Sequence, residues 1–164
     1  MIIGLPKETK DQELRVGITP AGVNTLIKSG NRVLVQKNAG VGSGISDDSY
    51  IQVGAELVKT PETLFSSSDL IVKVKEFQIH ECELLRPGLT TFSFLSLGIN
   101  PKLAQALMQS EVTAIAYETI ELKDGSLPIL KPMSALTGRL AIDVATHYLK
   151  SPQGGSGKLL SGIS

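Results

Sequence analysis

The chain is defined first by what it has little of. Its 164 residues contain one cysteine, Cys82, so no internal disulfide is possible. A reducing compartment, and with it the cytoplasm, is the expected address. There is no excess of charge: Lys plus Arg number 16, Asp plus Glu number 16, and the formal net charge is zero. That balance removes the electrostatic pull toward nucleic acid or an anionic membrane. It also weakens repulsion between copies and so permits self-association. No apolar run approaches a membrane span, and the opening Met1-Ile2-Ile3-Gly4-Leu5-Pro6 is too short for a signal peptide before Lys7 and Glu8 follow.

Chemistry-bearing patterns are equally sparse. The two histidines, His80 and His147, stand far apart with no metal-ligand spacing around either. Both read as surface or packing residues. Ser93 and Ser96 lack the flanking glycines of a nucleophile elbow. No full Gly-x-Gly-x-x-Gly fingerprint occurs. Gly40-Val41-Gly42-Ser43-Gly44 has the wrong spacing and reads as a flexible loop. Gly154-Gly155-Ser156-Gly157-Lys158 lacks both the spacing and the following Ser or Thr of a phosphate loop, and reads as a turn.

What is present is alternation. Apolar segments at 2–5, 32–36, 55–58, 69–75, 90–95 and 112–117 read as strands. Between them stand helix signals. Thr19-Pro20 is a cap followed by a first-turn proline, with Val23, Leu26 and Ile27 on one face and Gly30 as the stop. Ser46 starts a short helix over 47–53, 79–85 is a further short helical segment, and Pro101 starts another helix through Leu107. A hairpin turn is expected at Asp124-Gly125. The last long helix is expected over 134–148, with Ser134 as its cap. This order predicts an α/β fold: an open, mostly parallel sheet with helical crossovers. Such sheets bind ligands beyond the carboxyl ends of their strands. That rule selects Lys75, the loop after Leu95, Glu118 and the loop after the first strand.

Two residues there have a chemical reading beside a bland one. The planar fork of Arg15 suits a substrate carboxylate, and equally a surface ion pair with its acidic neighbours. Lys75 ends a strand, where its ammonium can polarise a carbonyl or hold a carboxylate, or simply snorkel or pair with Glu76. Ser134 at a helix start can cap or meet an anion.

Longer motifs carry a resemblance. Lys7-Glu8-Thr9-Lys10, Glu13-Leu14-Arg15-Val16 and Ile18-Thr19-Pro20-Ala21-Gly22-Val23 resemble the amino-terminal segment of the alanine dehydrogenase family. So do 69–76, Ile115-Ala116-Tyr117-Glu118-Thr119 and the run from Pro132-Met133-Ser134 through Gly138-Arg139-Leu140-Ala141. Nicotinamide nucleotide transhydrogenases share this domain type. The resemblance implies a Rossmann-like substrate-binding domain over 1–150 and a glycine-rich connection over 151–164 toward an NAD-binding domain. It implies that Arg15 and Lys75 bind the carboxylate and the reacting carbonyl region, and that Ser134 lies near the cofactor. It places Ser96 where the family carries a catalytic histidine, a role serine cannot fill near neutral pH. The parent activity is NAD-dependent interconversion of L-alanine with pyruvate and ammonium. The expectation for the chain alone is a partial, inactive dehydrogenase with no tight NAD binding. The alternatives are a non-enzymatic interaction or oligomerisation domain, or one half of a split oxidoreductase, partnered by itself or by a separate cofactor lobe.

Overall fold

The computed structural model describes residues 1–160; the last four positions of the expected connection, 161–164, lie outside the described residues. Two compact units make up the chain, Met1–Tyr117 and a second beginning at Glu118. The division falls inside the stretch 1–150 read from the sequence as one domain.

The first unit is built on six strands: β1 Ile2–Leu5, β2 Arg32–Gln36, β3 Glu56–Val58, β4 Leu70–Val72, β5 Thr90–Ser93 and β6 Thr113–Ala116. Every pairing is parallel, so the sheet is not merely mostly parallel. The spatial order is β3-β2-β1-β4-β5-β6. The chain steps outward from β1 to β3, returns to lay β4 against the other side of β1, and steps outward again. This is the doubly wound order, and its reversal lies between β1 and β4.

Both faces of the sheet are covered, which is why its central strands read as continuous apolar runs. On one face Leu34 and Ile71 pack with Leu64, Phe65, Phe77, Leu103 and Leu107. They lie among α3 Pro61–Ser67 and α4 Pro101–Gln109. On the other, Ile3, Leu5, Val33, Val35 and Val72 pack with Val23 and Tyr50. These last two come from α1 Pro20–Lys28 and α2 Asp47–Gln52.

The cap signals act as read. Thr19 accepts from the Gly22 amide, and Ser46 accepts from the Ser49 amide. Helix α3 went unread in the sequence, although Thr60-Pro61 repeats the Thr19-Pro20 signature and the Thr60 hydroxyl accepts from the Thr63 amide. The segment 40–44 is not a flexible loop: it forms a 3-10 turn over Val41–Ser43, closed by Gly44 at φ 72°. The strand expected over 69–75 is regular only through Val72, although Lys73 N still donates to Phe92 O and Phe94 N to Val74 O.

In the second unit, α5 runs Leu130–Leu149. Ser134 is therefore not its cap but an exposed residue inside it. The cap position is Ile129, and Pro132 sits in the first turn, where its missing N–H leaves no bond unmade. Asp124-Gly125 forms a turn, with the Gly125 amide on Leu122 O, but no strands flank it. Gly154 and Gly157 turn the chain back so that the Gly157 amide meets Leu149 O at 2.8 Å.

Gly4 shows how tightly the sheet is covered. A Cβ there would lie 2.7 Å from Ile71 Cδ1 and also against Ser68 Oγ. That hydroxyl is itself buried and donates to Leu64 O at 2.7 Å. Gly4→Ala is expected to lower stability by about 1–3 kcal/mol through overpacking. A urea unfolding curve should show a lower midpoint with an unchanged slope. An unchanged midpoint would mean that Ser68 and Ile71 give way freely.

Candidate functional site

The reversal between β1 and β4 opens the carboxyl ends of those strands. Two connections meet there: the long segment from Pro6 to Thr19 after β1, and the segment from Lys73 after β4. A buried ionic cluster ties them together. Glu8 is 7% exposed. Its Oε1 accepts from Val74 N at 2.7 Å and its Oε2 from Lys75 N at 3.4 Å. Lys73 has no exposure at all. Its ammonium donates to both oxygens of Glu81, at 2.5 and 2.6 Å, and stands 3.9 Å from Glu8 Oε2. Glu81 Oε2 also accepts from Gln78 N at 2.8 Å, and the Phe77 ring lies 5.1 Å below the ammonium. Burial pushes the Glu8 carboxyl upward, against the pull of Lys73.

Alternation treats Lys73 and Lys75 alike, and the structure separates them. Lys73 is consumed by the cluster, while Lys75 is half-buried one step further out. Lys10 pairs with Glu76 across the two connections.

Arg15 is held by Glu13. Nε donates to Oε1 at 2.8 Å and Nη2 to Oε2 at 2.6 Å, while the Arg15 amide donates to the same Oε1 at 2.9 Å. The guanidinium bond holds the Glu13 carboxyl down at about 2, and the charge of Lys75 adds to that effect. The Arg15 guanidinium is in turn raised by Glu13, with a contribution from Glu8. The charge of Lys75 is thus felt at Glu13 and that of Glu8 at Arg15, so the surroundings of the two sequence-predicted cations are electrostatically coupled.

The backbone under Arg15 is pinned from two directions. A Cβ on Gly17 would stand 2.8 Å from Val72 O, and one on Gly42 2.8 Å from Leu14 O. Ser43 Oγ donates to Leu14 O at 2.9 Å, and the Tyr50 hydroxyl donates to Ile18 O at 2.8 Å. Burial raises the Tyr50 phenol to about 12, so this donor keeps its proton.

Ser96 follows β5 in left-handed backbone, with φ 51° and ψ 39°. Nearby, Tyr117 packs edge-on against Phe92 and Phe94, with ring centroids 4.3 and 5.2 Å away. Burial raises its phenol, and Glu8 adds to the shift. Ser93 and Thr91 are fully buried, and neither hydroxyl has a hydrogen-bond partner. Ser134 belongs to the second unit. A cleft of about 230 Å³, lined by Pro6, Lys7, Gln36, Pro61, His80 and the cluster member Glu81 among others, includes neither Arg15 nor Lys75. Among the described residues no group of three His, Cys, Asp or Glu side chains could hold a metal ion. No helix there is long and apolar enough to cross a membrane.

Sequence reading missed Glu8, Lys73, Glu81, Ser43 and Tyr50 as site supports. The signal for Lys73 and Glu81 was a charged strand end followed by an acidic short helix, and for Glu8 the charged run after β1; only tertiary pairing selects among their members.

The Glu13–Arg15 pair has a testable pH signature. A depressed carboxyl contributes stability that is present above its ordinary range near 4.5 and is lost as pH falls through its folded value of about 2. Because the Arg15 side chain is 42% exposed, water screens the pair. Glu13→Gln is therefore expected to cost only about 1–2 kcal/mol at neutral pH. Urea midpoints of the two proteins should differ at pH 7 and converge as pH falls toward the folded value. Equal midpoints at pH 7 would show that the pair contributes nothing.

The family profile described as "Alanine dehydrogenase/PNT, N-terminal domain" matches residues 4–137. Alanine dehydrogenase of Methanococcus maripaludis is 45% identical over 163 residues, covering 99% of this chain and 44% of that protein. Alanine dehydrogenase of Bacillus subtilis is likewise 45% identical over 163 residues, covering 99% of this chain and 43% of that protein. A solved L-alanine dehydrogenase superposes with a TM-score of 0.90 at 42% identity, over 99% of this chain and 45% of that one. A transhydrogenase from Sinorhizobium meliloti gives 0.68 at 27% identity, over 72% of this chain and 35% of that one. The chain thus spans less than half the length of the relatives it matches. By profile, sequence and fold, it belongs to the alanine dehydrogenase/PNT N-terminal domain family.

Proposed function

We propose that this chain is the oxo-acid-holding lobe of an alanine dehydrogenase, whose activity is NAD-dependent interconversion of L-alanine with pyruvate and ammonium. The observation that carries the reading is that the connections bearing Arg15 and Lys75 leave adjacent strands at the order reversal and are pinned by hydrogen bonds, with the charge of Lys75 felt at Glu13, the partner of Arg15. Arg15 binds the carboxylate through its fork, in place of or beside Glu13. Lys75 faces the 2-oxo oxygen and stabilises negative charge developing there.

NAD does not fit the residues described here. The first strand leads into Pro6-Lys7-Glu8-Thr9-Lys10, a long charged connection, where a dinucleotide site needs a tight glycine turn at a helix start. On this reading the cofactor is held by the part of the relatives that this chain does not span, with Ser134 beside it. The chain alone then shows no alanine-dependent NAD reduction. A cytoplasmic setting goes with this reading.

A second reading, association through α5, is favoured by one observation. No residue of that helix is buried, and Leu136, Leu140, Ile142, Val144 and Tyr148 are all about half exposed or more. Self-association, or docking of a separate cofactor lobe, would cover them. Light scattering over a concentration series tests the first of these.

For the leading reading, calorimetric titration of the chain with pyruvate should show weak, saturable binding. Arg15→Ala or Lys75→Ala should weaken it by roughly 10- to 100-fold, the loss expected for a charge-assisted bond. Equal heats for all three proteins would remove Arg15 and Lys75 from the site. Ser96→His, in a full-length protein carrying this lobe, is expected to raise the rate of alanine oxidation at saturating NAD with little change in the KM for NAD. A rate that is unchanged or lower in the folded variant would reject a role for imidazole at this position.

A further inference from the structure

The buried cluster behind Lys75 has an arrangement that packing alone does not require. Glu8 comes from the connection after β1, and its carboxylate crosses to the segment after β4 to take the amides of Val74 and Lys75. Lys73 and Glu81 close the other side, so the same Glu8 oxygen that meets the Lys75 amide also faces the Lys73 ammonium at 3.9 Å. Lys73 is thereby held from two elements at once, by Glu81 and by Glu8. A buried ion cluster of this kind adds little net stability over apolar replacements, because desolvation offsets the attraction. What it fixes is geometry.

Resting on the oxo-acid reading above, we propose that Glu8 is a positioning residue for Lys75. Its carboxylate, braced by Lys73 and Glu81, sets the backbone at 74–75 and so aims the Lys75 ammonium into the crevice shared with Arg15. Glu8 contacts no substrate in this scheme. Lys73, although it occupies the alternate position on the same strand, serves as its brace and not as a second substrate cation. The Lys75 amide bond is the longer of the two, at 3.4 Å against 2.7 Å, so it is the more easily lost.

The test uses the whole chain and pyruvate, with Glu8→Gln and Glu8→Ala compared. The glutamine oxygen still accepts from Val74 N, whereas its NH2 cannot accept from Lys75 N and opposes Lys73. Calorimetry should give pyruvate binding weakened several-fold in Glu8→Gln and at least tenfold in Glu8→Ala. The glutamine variant should melt within a few degrees of the parent. In ¹⁵N–¹H spectra without ligand, the Lys75 amide should move in both variants and the Val74 amide chiefly in the alanine variant. A third arm needs no substitution: pyruvate added to the unaltered chain should shift the Glu8 carboxyl ¹³C signal along with the Lys75 amide.

Unchanged affinity in a folded Glu8→Gln, or a Glu8 signal that stays still while Lys75 moves, would overturn the positioning role. If Arg15→Ala and Lys75→Ala also bind as the parent does, the failure lies in the oxo-acid reading. The Lys75 amide in the ligand-free variants then decides Glu8 by itself: a resonance that moves supports the positioning role, and one that stays overturns it.

Discussion

An ammonium with no solvent exposure must be neutralised where it sits, and Lys73 is such a group. Its partners come from different parts of the chain. Glu81 arrives from the 3-10 segment Ile79–Leu84 and Glu8 from the connection after β1. Satisfying one cation therefore closes a ring through three segments. The ring passes directly under Lys75, whose amide is one of its donors. Arg15 is tied in by a parallel set of bonds, through Leu14 to Ser43 and through Ile18 to Tyr50. On the proposed reading, Arg15 and Lys75 extend from fixed backbone, and fixed backbone is what orientation of a small charged ligand requires.

The topology explains why such a ring can exist only at this place. In a parallel sheet covered on both faces, the strand ends are the part open to ligand, and only at the order reversal do two adjacent strands send their connections apart. Here the outgoing connection after β1 is long and charged. A dinucleotide-binding sheet of the same strand order would place glycines and a helix start there. On the proposed reading, the same framework carries a pair of cations for a small carboxylate in place of a cradle for a pyrophosphate. Fold alone does not distinguish these uses; the residues from Lys7 to Arg15 do.

Much of the architecture was legible because it is local. Thr19-Pro20 and Ser46 mark helix starts through bonds within one turn, and apolar runs of three to five residues mark strands buried on both faces. Helix α3 was legible in the same terms at Thr60-Pro61, but its brevity hid it between two strands. Ser134 was misplaced for a related reason: a serine before an apolar stripe has the form of a cap. The earlier Pro132, tolerated in a first turn, was the better marker of where α5 begins. The site was legible only in part. Arg15 and Lys75 stand at strand-end positions that topology selects. Glu8 and Lys73, by contrast, look like solvated charges until their partners, 66 and 8 residues away, are known.

Ser96 joins backbone and chemistry in one position. A non-glycine residue at φ 51° carries a conformational cost, and the residues that bear it most readily are asparagine, aspartate and histidine. Serine has no such preference, so the left-handed turn is imposed by its surroundings: β5 ends just before it, and a 3-10 turn over Leu97–Ile99 begins just after. The direction of the side chain at position 96 is therefore a property of the fold and not of the serine. A strained residue held by its context is the kind found where a site needs a side chain aimed. A serine hydroxyl, unlike an imidazole, has no intrinsic proton exchange near neutral pH. On the proposed reading, the aim of position 96 and its acid–base capacity are separable: the backbone sets the first, and the residue type sets the second.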